Sequence, residues 1–145
     1  MRFADFHPGA RFGAGPRRVG AEEIVDFARR YDPQPFHVDA TLAAASRWGG
    51  LISSGWMTCA IAMELAVDCV LAGSESIGSP GVDHIRWESP VRPDDELRLT
   101  VTVLESRVSS SGTTGIVRWS WELHNQRGER VLDLKAASFF DLKSG

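Results

Sequence analysis

The chain has 145 residues, 43% hydrophobic and 24% charged, with 16 basic against 19 acidic side chains. That length fits one domain over residues 1–145 with room for a core and a pocket, and the near-balance of charge argues against nucleic acid as the main partner. The opening stretch breaks its apolar residues with Asp5, His7 and Pro8. It lacks the continuous apolar run of a secretory leader, so a cytoplasmic location is expected.

A first strand is expected around residues 11 to 19. In "AEEIVDFARRY" the apolar residues Ile24, Phe27, Ala28 and Tyr31 recur at helical spacing, with Glu22 and Glu23 in the first turn where the helix dipole favours negative charge. Pro33 then pushes Asp32 toward extended geometry and places it at the helix exit. "VDATLAAASRWGG" reads as a short second helix, with Asp39 as N-cap and Gly49-Gly50 as its stop. Ser53 or Ser54 caps the next segment, "SSGWMTCAIAMELAVDCVLAG", whose only charges are Glu64 and Asp68. Its apolar run falls well short of the roughly 20 residues of a membrane span, so a buried core helix is expected. Cys59 and Cys69 are separated by about 15 Å of helical rise, too far to pair, and are expected as buried free thiols.

From residue 80 onward the apolar period changes to two. Leu97, Leu99, Val101 and Val103 alternate with polar residues, as do Val117, Trp119, Trp121 and Leu123. "SSSGTTG" and "NQRGE" supply turns, and "VLDLKAASFF" the last long strand. These elements describe an α+β domain: a curved antiparallel β-sheet wrapped around a long apolar central α-helix, which would then bury every face of that helix.

Several chemistries are excluded by spacing. His7, His37, His84 and His124 lack the short intervals of a zinc site, so no metal is expected. "GAGPRRVG" follows no clear strand and lacks the ending of a phosphate loop, so no nucleotide cofactor is expected either. Ser54-Gly55 does not stand in a G-x-S-x-G elbow. Asp32 and His37 remain, held on either side of Pro33 and Pro35. Taken alone, such a pair is more often a turn-stabilising aspartate beside a solvated imidazole than a catalytic one.

The stretch "DPQPFHVDATLAAASRWGGLISSGWMT" resembles the signature of the MaoC-like hydratase family, to which (R)-specific enoyl-CoA hydratases belong. The resemblance is carried by Asp32, Gln34, Pro35 and His37, by the alanine-rich helix around Ala43 to Ala45, and by the turn from Ile52 to Gly55. "GVDHIRWESPVRPDDELRLTVTV" resembles the family's strand entry, with an Arg-aromatic pair before Pro-Val and an acidic turn.

This resemblance implies a hot-dog fold and a homodimer or dimer-based oligomer, with an acyl-CoA thioester entering a tunnel between subunits and no resident cofactor. It makes Asp32 and His37 the catalytic pair and Gly55 the oxyanion donor through its backbone N–H. Gln34 and Ser54 stand where they would shape the substrate pocket, and the apolar Phe36, Trp56, Met57 and Met63 near the motif are candidates to line it, with core packing at least as good a reading for each. Gln34 stands where asparagine is more usual and Ser54 where histidine is frequent. Met63 stands where one subgroup carries a serine, so a hydrogen bond from that point of the helix to the aspartate is not expected. The activity implied is reversible hydration of a 2-enoyl-CoA; a hot-dog thioesterase and a non-catalytic acyl-thioester-binding subunit are the alternatives.

Overall fold

The computed structural model, described over residues 1–143, begins with a single 3-10 turn and a strand, β1 (Arg11–Arg18). Four helices follow: α1 (Ala21–Tyr31), α2 (Pro35–Val38), α3 (Ala40–Ala45) and α4 (Gly55–Ala66), the last extended by a π-helical turn over Val67–Leu71. The rest is strand: β2 (Ser76–Trp87), β3 (Glu96–Val108), β4 (Thr114–His124) and β5 (Arg130–Asp141). The five strands form one sheet in the order β1-β3-β4-β5-β2, with every neighbouring pair antiparallel. The expected α+β arrangement, a sheet wrapped around an apolar helix, is the one observed.

The period-2 residues do what alternation dictates. Leu97, Leu99, Val101 and Val103 of β3 and Val117, Trp119, Trp121 and Leu123 of β4 point inward and are buried, while the residues between them point out. The core is completed by Met57, Ile61, Leu65 and Val70 from the helical segment and by Phe6, which meets Trp119 edge-on at 5.2 Å between ring centres.

The helix starts and stops have local causes. Asp39 caps α3, its carboxylate accepting from the N–H groups of Thr41 and Leu42 at 2.9 and 3.0 Å. That helix ends at Ala45, before the expected Gly49-Gly50 stop, because the Ser46 hydroxyl donates to the Ala43 carbonyl at 2.6 Å and takes the chain out of the helix. Ser54, rather than Ser53, caps α4. Glu64, a charge on an otherwise apolar helix, is accounted for by Arg17, which donates to it at 3.0 Å and grips Glu23 of α1 with its other nitrogens. This guanidinium ties β1, α1 and α4 together, and so fixes the direction in which α1 delivers Asp32.

One expectation is corrected. α4 does not bury every face: Met57, Thr58, Ile61, Ala62, Leu65 and Ala66 are buried, but Trp56 is 57% and Met63 48% exposed, and Val67 is exposed one turn on. A single curved sheet covers only the side of a helix it faces, so the rest of the apolar surface is left open in the lone chain. The edge strand β2 is exposed along residues 76–83, where three register shifts and the positive-φ glycines Gly78 and Gly81 interrupt its pairing with β5.

Candidate active site

Asp32 closes α1, its N–H bonded to the Ala28 carbonyl at 2.8 Å, and Pro33 prevents the helix from continuing. The chain then makes one helical turn, α2, which starts on Pro35 and carries His37 into the interior. The segment 52–54 runs beside it. The Ile52 N–H donates to the Phe36 carbonyl at 3.2 Å, and the Ser53 N–H to the Val91 carbonyl at 2.8 Å. Ser54 follows, and α4 begins at Gly55.

These contacts bring the histidine ring between two acceptors. Nδ1 lies 2.7 Å from the Ile52 carbonyl oxygen, and Nε2 lies 3.3 Å from Asp32 Oδ2. A carbonyl only accepts, so Nδ1 carries a proton; in the neutral ring this leaves a bare lone pair at Nε2 beside the carboxylate, and in the protonated ring Nε2 is a donor to it. The Phe36 ring stacks edge-on against the imidazole, with 4.4 Å between centres, and restricts its rotation.

The carboxylate is held as firmly. Its Oδ1 accepts from the Gln34 amide at 2.6 Å, and its Oδ2 from the Ser54 hydroxyl at 2.8 Å. Burial by itself would push the Asp32 carboxyl up. The hydrogen bonds from Gln34 and Ser54, helped by the positive charge of His37 when its ring is protonated, outweigh it and hold the group below the ordinary carboxylate range.

Asp32, Gln34, His37, Gly55 and Trp56 all line one cleft of about 340 Å³. Its remaining wall is formed by Trp48, Ile52, Ser53, Thr58 and the stretch from Trp87 to Val91. Gly55 is the first residue of α4, and among the described residues nothing accepts from its N–H. Trp87 explains why this residue is a glycine: its indole N–H donates to the Gly55 carbonyl at 2.9 Å, and a Cβ placed on Gly55 would lie 2.5 Å from the indole Cε2. Trp56 meets the same indole edge-on at 5.3 Å.

Not every expected residue lies in the cleft. Met63 is not part of its wall: it shares the open face of α4 with Trp56 but stands two turns further on, about 10 Å along the helix, and Met57, turned about 100° round the helix from Trp56, is buried in the core. Phe36 lies behind the imidazole, and Ser54, fully buried, behind the carboxylate. The walls that sequence reasoning missed, Trp48 and Trp87 above all, are remote from Asp32 in the chain; the Arg86-Trp87 pair of the strand-entry motif was the available signal for the second. Among the described residues no cluster of three metal-ligating side chains occurs.

A model of the MaoC like domain family matches residues 5–121 of the chain. The uncharacterized protein YdeM of Bacillus subtilis is 32% identical over 133 residues, which is 92% of this chain and 94% of YdeM. The crystal structure of a MaoC-like dehydratase from Rhodospirillum rubrum, 40% identical, superposes with a TM-score of 0.87 over 95% of this chain and 94% of that one. The unliganded (R)-hydratase PhaJ1 of Pseudomonas aeruginosa shares 22% identity and the same hot-dog fold, with a TM-score of 0.77 over 96% of this chain and 84% of its own.

Proposed function

The chain belongs to the MaoC-like domain family, and we propose that it adds water reversibly to a 2-enoyl-CoA to give the (R)-3-hydroxyacyl thioester. The observation that carries this reading is the pair of acceptors, Asp32 Oδ2 and His37 Nε2, 3.3 Å apart at the wall of a cleft that also holds the Gly55 N–H.

A water seated there donates one proton to each acceptor, which leaves its oxygen lone pairs free for the β-carbon of the substrate. Asp32, held ionised by its donors, takes a proton as the oxygen bonds to Cβ. The displaced π electrons move through the conjugated system onto the thioester oxygen. Gly55 offers that oxygen an unsatisfied N–H at the positive end of the α4 dipole, a donor of the kind worth about 3 kcal/mol in the transition state. The Asp-His pair then returns a proton to Cα, so that one water is added and both residues end as they began. Asp32, His37 and Gly55 are the catalytic groups of this scheme. Gln34 orients the carboxylate and Trp56 flanks the acyl chain. The scheme uses no resident cofactor; coenzyme A is part of the substrate.

The test is an assay with crotonyl-CoA and longer enoyl-CoA substrates. Loss of the conjugated absorbance without release of free thiol is the expected result, and chiral analysis of the product reads the stereochemistry. Thiol release would instead mark a thioesterase. Tight acyl-CoA binding with neither change would mark a binding subunit.

The same reading takes a second copy of the chain as partner. The open face of α4, with Trp56, Met63 and Val67, and the exposed edge strand β2, with Ile77 and Val82, are apolar surfaces that an identical subunit would cover. Light scattering at micromolar concentration is expected to give about twice the chain mass. A monomer that still turned over substrate would sink this part of the proposal. Among the described residues no helix is long and apolar enough to cross a membrane.

A further inference from the structure

The Ser54 hydroxyl takes no part in the bond changes described above, yet it is the buried group most directly attached to them. The residue is fully buried at the N-cap of α4. An ionised carboxylate only accepts, so the 2.8 Å contact with Asp32 Oδ2 is a bond that the serine donates, and its oxygen in turn accepts from the Trp56 N–H at 3.3 Å. A buried hydroxyl with its proton committed in this way has one orientation.

The two donors to Asp32 differ in where they come from. Gln34 lies two residues along the same loop and moves with it, whereas Ser54 reaches across from a different element. No other hydroxyl of α4 is available for the task. Thr58 is turned to Ser53 and to the Ser54 carbonyl, at 3.4 Å from each, and Met63 has no donor and stands 48% exposed on the open face.

We infer that Ser54 is the positioning residue of Asp32: its hydroxyl ties the carboxylate to the start of α4 and leaves the lone pair of Oδ2 beside His37 Nε2 as the one that receives the water's proton. Its consequence for turnover rests on the hydratase reading; its consequence for the carboxyl itself rests on the geometry alone. Because Gly55 is the next residue, the side chain of one position and the backbone N–H of the following one set the base and the oxyanion donor at a fixed separation.

The test uses Ser54→Ala and Ser54→Gly in the full-length protein. Glycine starts a helix almost as well as serine and alanine does not, so the pair separates loss of the hydroxyl from loss of the cap. Both variants are expected to lower kcat by about tenfold, the scale of one hydrogen bond to a charged group. KM is expected to change little, and the acid limb of the pH profile to move to higher pH, because the carboxylate loses a donor that favoured its ionised form. Carbon-13 NMR of labelled aspartate, which needs no turnover, is expected to show the Asp32 carboxyl titrating at higher pH in both. An unmoved Asp32 titration would overturn the inference, as would a kcat loss confined to the alanine variant and matched by its fall in melting temperature. Failure of the wild-type protein to hydrate any enoyl-CoA would overturn the hydratase reading, with the NMR titration still deciding the role of Ser54.

Discussion

Asp32→Asn and His37→Ala are each expected to slow hydration by roughly 10²-fold or more, the usual scale for a positioned acid or base. The asparagine keeps the shape of the carboxylate but cannot take a proton, and its amide is one acceptor short beside the bare Nε2 of His37. The alanine removes the second acceptor of the water and with it the orientation of the oxygen toward Cβ. Because both side chains hold one water, the losses should not add. The double variant is expected to be little slower than the poorer single one, as for other groups that act as a unit. Folding should be largely spared in Asp32→Asn, whereas His37→Ala also removes a buried ring and its bond to the Ile52 carbonyl and should lower the melting temperature, so its rate is to be read well below that transition. Single variants that kept nearly full activity, or lost it only together with their melting transition, would return the turn to a purely structural role. The wild-type rate should hold to lower pH than an ordinary carboxylate base would allow, because the Asp32 carboxyl lies below its usual range under the donors from Gln34 and Ser54, despite its burial.

The second large effect is expected at Gly55, where two substitutions separate space from hydrogen bonding. Gly55→Ala keeps the N–H but drives a Cβ into the Trp87 indole, so the indole must swing away and give up its bond to the Gly55 carbonyl. Gly55→Pro brings the same Cβ and deletes the N–H as well. Proline suits the first position of a helix, and Ser54 already has the extended backbone, φ −55° and ψ 138°, that a following proline requires. The proline variant should therefore fold about as well as the alanine variant and turn over roughly 10²- to 10³-fold more slowly than it, the scale of one oxyanion donor. Equal rates for the two variants would show that Gly55 matters for the seating of Trp87 and not for its N–H.

Much of this site was legible because its parts are local. An amphipathic helix stopped by Pro33 places Asp32 at an exit, and Pro35 at the head of a turn places His37 one short step further on. The alternation in β3 and β4 announced a half-buried sheet. The rest depends on contacts between remote segments, which periodicity does not report. Trp87 belongs to a strand that shows no alternation, since its glycines and register shifts break the pleat. Met63 and Phe36 were expected in the pocket because they are apolar and near the motif, but hydropathy does not say which way a side chain faces once the helix is docked. Ser54 looked like a departure from the family pattern. Its partner, Asp32, is 22 residues away, and only the folded chain shows that this serine supplies the hydrogen bond that Met63 cannot.

The first turn of α4 is held by the same atoms that hold the site. Ser54 caps the helix and grips Asp32, its carbonyl takes the Thr58 N–H at 3.1 Å, and the neighbouring Ser53 N–H is bonded to Val91 beyond the cleft. The helix end, where fraying ordinarily begins, is thus closed by its own first turn and cross-linked to two other segments. Amide hydrogen exchange at Ser53 and Thr58 should be as slow as in the sheet core, opening only with the whole molecule. A site built this way has no partly melted form in which the base is misplaced while the fold persists, so its activity should disappear in the same cooperative step as its structure.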